Sequence, residues 1–240
     1  MKLARRRILG LCAIALGALA LGPTISPSRA QNPEMQQKIA EVKDAAVRNK
    51  QLLGQYTWVE QVTISLKGEQ KKQEHFQVRL GPDGKPQKQS LDPAPALPEH
   101  EGRLKKHIIE KKTEEYEDYA NQIKALIQQY VPPDKDMLQQ AYQAGNVMVG
   151  PQPNAPGQYR VVISNYIKQG DNMTLVMDKT QKDLVSLAIA TYLNDPSDAL
   201  NVSVEFASIP GGPNHVSAET INGESKHLTV AIQNSNYQHM

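Results

Sequence analysis

Beyond its first thirty residues the chain has no cysteine, because Cys12 is the only one among 240 residues. A mature form cut there could not form a disulfide, present a thiol nucleophile or hold zinc through thiolates. Its stability would then come from core packing alone. Aromatic residues are scarce, at two Phe, one Trp and nine Tyr. The common catalytic signatures are missing as well. There is no Gly-x-Ser-x-Gly elbow, no His-Glu-x-x-His, no phosphate-binding Gly-Lys-Ser/Thr loop and no Gly-x-Gly-x-x-Gly.

The basic surplus disappears on closer reading. Lys2, Arg5, Arg6, Arg7 and Arg29 lie in the first thirty residues, which hold no acid. Removing those five from the 27 basic residues leaves 22 against 25 acidic ones, a net charge of −3. Nucleic-acid binding thereby loses its compositional support. The same segment reads as an export signal: a basic start, an apolar run over 8–21, and Ser28 and Ala30 before Gln31. The run is shorter than the ~20 residues of a membrane span. Cleavage after residue 30 and a periplasmic or secreted location are expected. Arg6-Arg7-Ile8-Leu9 partly matches a twin-arginine signal.

Periodicity predicts one α+β domain over 31–240. Asn32-Pro33 opens a helix ending at Gly54. Two strands follow, Tyr56–Leu66 and Glu74–Leu80, with a polar third over 85–91. The proline-rich stretch 92–102 can continue neither ladder nor helix. A helical insertion spans about 103–145: a long helix over 103–130, a break at Val131-Pro132-Pro133, and a short helix ending at Gly145. The rest reads as a meander of seven strands. Within it Leu184–Leu193 is nearly continuously apolar, as for a strand central in the sheet or buried on both faces, and Asn222-Gly223 is the strongest hairpin signal.

Two chemistries compete with plainer readings. His100, His107, His215, His227 and His239 lack tight ligand spacing and read as surface histidines, so no metal and no cofactor is expected. Asp171, Asp178, Asp183, Asp195 and Asp198 fall in turns, where aspartate commonly caps local backbone.

The remaining candidate is an apolar face. In YTWVEQVTISL, Tyr56, Trp58, Val62, Ile64 and Leu66 share one side of a strand, with Glu60 in the middle of the row. Phe76, Val78 and Leu80 alternate likewise. Such a face either fills a core beneath the long helix or lines a ligand cavity. Glu60 needs a charged partner or water in both cases.

The stretches YTWVEQVTISLKGEQKKQEHFQVRLGPDGKPQK, YVPPD and the closing NSNYQHM resemble uncharacterised exported bacterial proteins. Those proteins are described as similar to the outer-membrane lipoprotein-sorting, or periplasmic lipoprotein-carrier, superfamily. The resemblance covers most of the chain after residue 30. It implies an incomplete, strongly curved antiparallel β-barrel covered by helices, with a hydrophobic cavity for acyl chains. The cavity wall would then include Tyr56, Trp58, Glu60, Val62, Ile64, Leu66, Phe76 and Val78, with Ile123 and Leu126 on the covering helix. No position matches the arginine that locks the carrier's lid.

The leading expectation is a non-enzymatic protein binding a lipid or an acylated protein, with transient contact at a membrane surface. Two rivals stand beside it. One is a protein-interaction or envelope-sensor module with a filled core and exposed strand edges. The other is a hydrolase with scattered carboxylates.

Overall fold

The computed structural model describes residues 37, 44, 47–93 and 103–240, leaving aside the side chains of 103–113 and 135. The expected export signal, the expected helix start at Asn32-Pro33 and most of the proline-rich stretch lie outside these residues. The helix expected before the first strand is described at 37, 44 and 47–53, and is called α1 here.

Ten strands form one antiparallel sheet. They are β1 (Tyr56–Leu66), β2 (Glu69–Leu80), β3 (Pro86–Ser90), β4 (Val147–Gln152), β5 (Ala155–Ser164), β6 (Asn172–Asp178), β7 (Leu184–Tyr192), β8 (Ala199–Ser208), β9 (Asn214–Gly223) and β10 (Leu228–His239). The order across the sheet is β3-β2-β1-β10-β9-β8-β7-β6-β5-β4. The chain is therefore a meander from β4 to β10, with the first three strands docked beside the last one. The sheet is open and curved, because β3 and β4 are edges that do not pair with each other.

Helices α2 (Arg103–Tyr130) and α3 (Lys135–Gln143) connect β3 to β4, and so connect one edge of the sheet to the other. The span fits the topology. Twenty-eight helical residues run about 42 Å at ~1.5 Å each. Nine strand spacings of ~4.8 Å come to about 43 Å. Tyr119 of α2 touches Ser225 beyond β9, and Tyr130 reaches Asp171 between β5 and β6. The second half of α2 therefore crosses one end of strands β9 to β6. Asp134 caps α3 by accepting from Asp136 N at 3.0 Å and Met137 N at 2.9 Å. Gly145, at φ 77°, turns the chain out of it as expected.

The main core lies under α2 and α3. Tyr119, Ile123, Leu126, Tyr130 and Ala141 pack on inward residues of β5 to β8, among them Ile163, Met173, Leu187, Ile189, Leu200 and Val202. Each fully buried aliphatic side chain there contributes about 1.5–3 kcal/mol of transfer free energy.

One expectation narrows and two need correction. β7 is central in the sheet, as one of its two readings had it, but one-sided: Leu187 and Ile189 are buried while Ala188 and Ala190 face out. Alanine reads as apolar in a sequence, yet it is too small to demand burial. Asn222-Gly223 is not the turn; it pairs with Leu228 and Thr229 inside the ladder, and residues 224–227 reverse the chain, with His227 at φ 47°. Gly223 is needed for a different reason, since a Cβ there would lie 2.6 Å from the Tyr119 hydroxyl. Finally, β10 continues through the polar NSNYQHM to His239, much further than its apolar alternation suggested.

Candidate functional site

The register of β1 builds the site. Val78 lies opposite Trp58, and Lys88 opposite Val78. Phe76 and Asn234 flank Glu60. Ile232 lies opposite Val62, and Glu219 opposite Ile232. Val230 lies opposite Ile64, and Ile221 opposite Val230. Side chains that pair across strands share a face. All of these therefore stand on the face that carries the main core, in a row that runs from Ile64, Val230 and Ile221 beside the core to Trp58, Val78 and Lys88 at the end away from Tyr119 and Tyr130.

Two bulges shape that end. β1 and β10 slip register around Trp58, where Asn236 takes φ 54°. The slip turns Tyr237 inward, and its ring stacks on Trp58 at 5.6 Å and 16°. β8 and β9 slip between Glu205 and Phe206, so that Val216 and Glu219 face the same way although three residues apart. Bulges of this kind re-aim side chains. Here the carbonyl of Val216 becomes a shared acceptor. Asn234 Nδ2 donates to it at 3.1 Å, Tyr237 Oη at 3.0 Å, and His215 Nδ1 lies 3.1 Å away. The His215 ring is 3.8 Å from that of Tyr237. α1 reaches this end, since Asn49 Oδ1 accepts from Asn214 N at 3.1 Å.

The carboxylate in the apolar row has a partner. Glu60 is buried and forms an ion pair with Lys88, whose ammonium passes over the Phe76 ring at 5.6 Å from its centroid. Lys88 was assigned only to a polar third strand, because nothing in the local pattern links residues 60 and 88. A second carboxylate, Glu219, was missed altogether. It alternates with Ile221 as Glu60 does with Val62, and that was the available signal. Burial, and then the neighbouring Glu60 charge, hold the Glu219 carboxyl above its ordinary value of 4.5, with Lys88 opposing them. Burial also raises the Tyr237 phenol and lowers the His215 imidazole.

The sign of the Glu219 shift makes a prediction. A raised carboxyl pKa means that the folded state holds its proton longer than the unfolded state does. Stability is then lost as pH rises above the ordinary value toward the folded one. Glu219→Gln removes that loss. Its midpoint of thermal unfolding is expected to exceed that of the parent at pH 8 and to match it near pH 4. Equal differences at both pH values would show that Glu219 is not held protonated.

The expected wall residues divide into two groups. Ile123 and Leu126 are part of the main core, and Ile64 and Leu66 pack against it. Trp58 and Val78 are buried outside that cluster, beside Glu60 and Tyr237. Phe76 and Val62 are half-buried between the groups. Tyr56 stands at the rim, edge-on to His239 at 5.1 Å. None of these residues lines the cavity of about 570 Å³ around Lys67, Glu224 and His227, or that of about 290 Å³ on the outer face around Thr174, Asn201 and Thr220. The feature on the inner face is a strip rather than a closed chamber: Val62, Ile64, Ile221, Val230 and Ile232 adjoin across three strands, and each is half-buried.

The two candidate chemistries end differently. Asp171 is fully buried and accepts from four donors: Tyr166 N at 2.6 Å, Ile167 N at 2.9 Å, Lys168 N at 3.0 Å and Tyr130 Oη at 2.6 Å. That is the capping role expected of a turn aspartate. Asp178 and Asp195 likewise accept from backbone two residues on, at 2.7 Å and 2.9 Å. Among the described residues, no three histidine, cysteine, aspartate or glutamate side chains converge as a cation site.

No protein-family model matches this chain, and no curated protein matches it. A crystal structure of a DUF1329 family protein from Desulfovibrio piger is similar to it at 14% identity, over 84% of this chain and 92% of that one, with a TM-score of 0.41.

Proposed function

We propose that this chain is an exported, non-enzymatic protein that binds or carries an apolar or acylated ligand on the inner face of its sheet. The observation that carries this reading is the half-buried strip of Val62, Ile64, Ile221, Val230 and Ile232. Ile64, Ile221 and Val230 border the main core, and Val62 and Ile232 extend the strip beyond it. From Leu66 and Leu228 to Glu60 and Asn234 the strip spans six residues, about 20 Å at ~3.4 Å each. That length suits an extended alkyl chain. Binding would be driven by transfer of methylene groups out of water, at about 0.8 kcal/mol each. The expected export signal in the first thirty residues agrees with a binding protein of the cell envelope. Lipid or an acylated protein is the expected partner, with passing contact at the membrane surface.

The test is Ile64→Glu. A charge in the middle of the strip is expected to cut uptake of an alkyl ligand at least about a hundredfold, because the ligand would have to desolvate it. Far-UV circular dichroism should stay that of the parent, since Ile64 is half-buried at the border of the main core rather than inside it. Full uptake by a folded Ile64→Glu protein would remove this strip as the binding surface.

A further inference from the structure

The polar end of the strip holds two groups with opposite needs. Trp58 is 6% exposed, and its Nε1, which can only donate, has no hydrogen-bond partner among the described residues. Asn234 Oδ1, which can only accept, is buried and equally without one, while the same side chain's Nδ2 is engaged by Val216 O at 3.1 Å. Buried polar groups are almost always paired, so two such atoms in adjoining rows of one face stand out. Asn234 lies opposite Glu60 in the ladder, and Trp58 is the next inward residue of β1. The Trp58 indole is fixed by its stack on Tyr237, and the Asn234 amide by its bond to Val216. Neither can swing away to find another partner cheaply.

The surrounding charges restrict what can satisfy this pair. Lys88 is committed to Glu60. A carboxylate or phosphate head would therefore come beside the Glu60 carboxylate, whose cation is already engaged, and like charges at close range are disfavoured. A quaternary ammonium head could neither accept from the indole N–H nor donate to the amide oxygen. A hydroxyl does both, one bond each. Resting on the reading of the strip as an alkyl-binding surface, we propose that the ligand's head is an uncharged hydroxyl-bearing group, as in a monoacylglycerol or long-chain alcohol, bridging Trp58 Nε1 and Asn234 Oδ1.

Trp58 is the chain's single tryptophan, so its emission reports on this spot alone. The full chain is titrated with dodecanoylglycerol, dodecanoate and dodecyltrimethylammonium, each below its micellar concentration. Trp58 emission is followed together with displacement of the uncharged fluorophore N-phenyl-1-naphthylamine. The inference expects dodecanoylglycerol to shift Trp58 emission and to displace the fluorophore at a concentration about tenfold below either charged ligand, the discrimination a site built for a hydroxyl exerts. In Trp58→Phe, which keeps the ring stack, that advantage should shrink to about twofold while the fluorophore still binds. Three head groups of equal affinity on the parent chain would overturn the inference and leave the strip as an unselective alkyl surface. Tighter binding of dodecanoate would overturn it too. If the fluorophore itself does not bind, the alkyl-binding reading fails first and the head-group inference fails with it. The parent-chain series decides the matter even if Trp58→Phe does not fold.

Discussion

Asp171→Ala is expected to be among the most destabilising single changes in this chain, by about 3–5 kcal/mol in a denaturant titration. The residue is fully buried, and its carboxylate closes the loop between β5 and β6 by accepting from three consecutive backbone N–H groups, those of residues 166, 167 and 168. It also anchors α2, because Tyr130 Oη donates to it at 2.6 Å. Alanine would orphan the three amides together and remove one of the two partners of the Tyr130 hydroxyl. The Tyr130 phenol, which burial and Asp171 hold well above its ordinary value, could still reach Thr191 Oγ1 at 2.8 Å, but the three amides have no alternative acceptor of this kind. Asp171→Asn keeps one acceptor oxygen and should recover about half of the loss. If Asp171→Ala cost less than about 1 kcal/mol, the loop and α2 would be held by something other than this carboxylate.

Gly223→Val carries the second large effect, about 2–3 kcal/mol from forced overpacking. The added Cβ would meet the Tyr119 ring at 2.6 Å from Oη and 2.8 Å from Cε1. Tyr119 cannot give way freely, because its hydroxyl donates to Asp198 Oδ1 at 2.9 Å and receives Ser225 Oγ at 3.2 Å. The clash therefore lifts α2 off the hairpin that Lys226 also ties to Glu115. A double-mutant cycle with Tyr119→Ala should return a coupling of about 1–2 kcal/mol, since removing the ring removes the clash. Additive effects would mean that Gly223 is required for its backbone alone.

Those two positions show how far the sequence could be read. The helix over 103–130 and most of the strands follow from period and punctuation, and the structure places them close to the expected bounds. The curved, incomplete antiparallel sheet with a helical insertion was legible for the same reason: the elements are local, and the connections between strands are short. Gly223 was read as a turn residue because Asn-Gly is locally the best hairpin pair. Its actual role depends on Tyr119, 104 positions earlier, which no local pattern reveals. β7 misled in another way, because a hydrophobicity count does not separate the alanines at 188 and 190 from the leucine at 187.

The candidate site was half legible. Trp58, Val62, Ile64 and Val78 were recognised from alternation, and Glu60 from breaking it. What Glu60 meets was hidden, since Lys88, Glu219, and the pair Asn234 and Tyr237 come from three separate strands and are joined only by strand register. The polar tail NSNYQHM carries no amphipathic signal, yet it supplies Asn234 and Tyr237. Its inward residues face a polar cluster rather than a core, so hydrophobic periodicity could not have found them.

The most direct test of the account is to purify the protein as the cell makes it. Expressed with its own first thirty residues, isolated without detergent and extracted for lipid mass spectrometry, the protein is predicted to yield about one alkyl-bearing molecule per chain. A chain that comes away clean, and that also fails to take up an uncharged fluorescent alkyl probe, would contradict it. The face of Val62, Ile64 and Val230 would then be packing surface only.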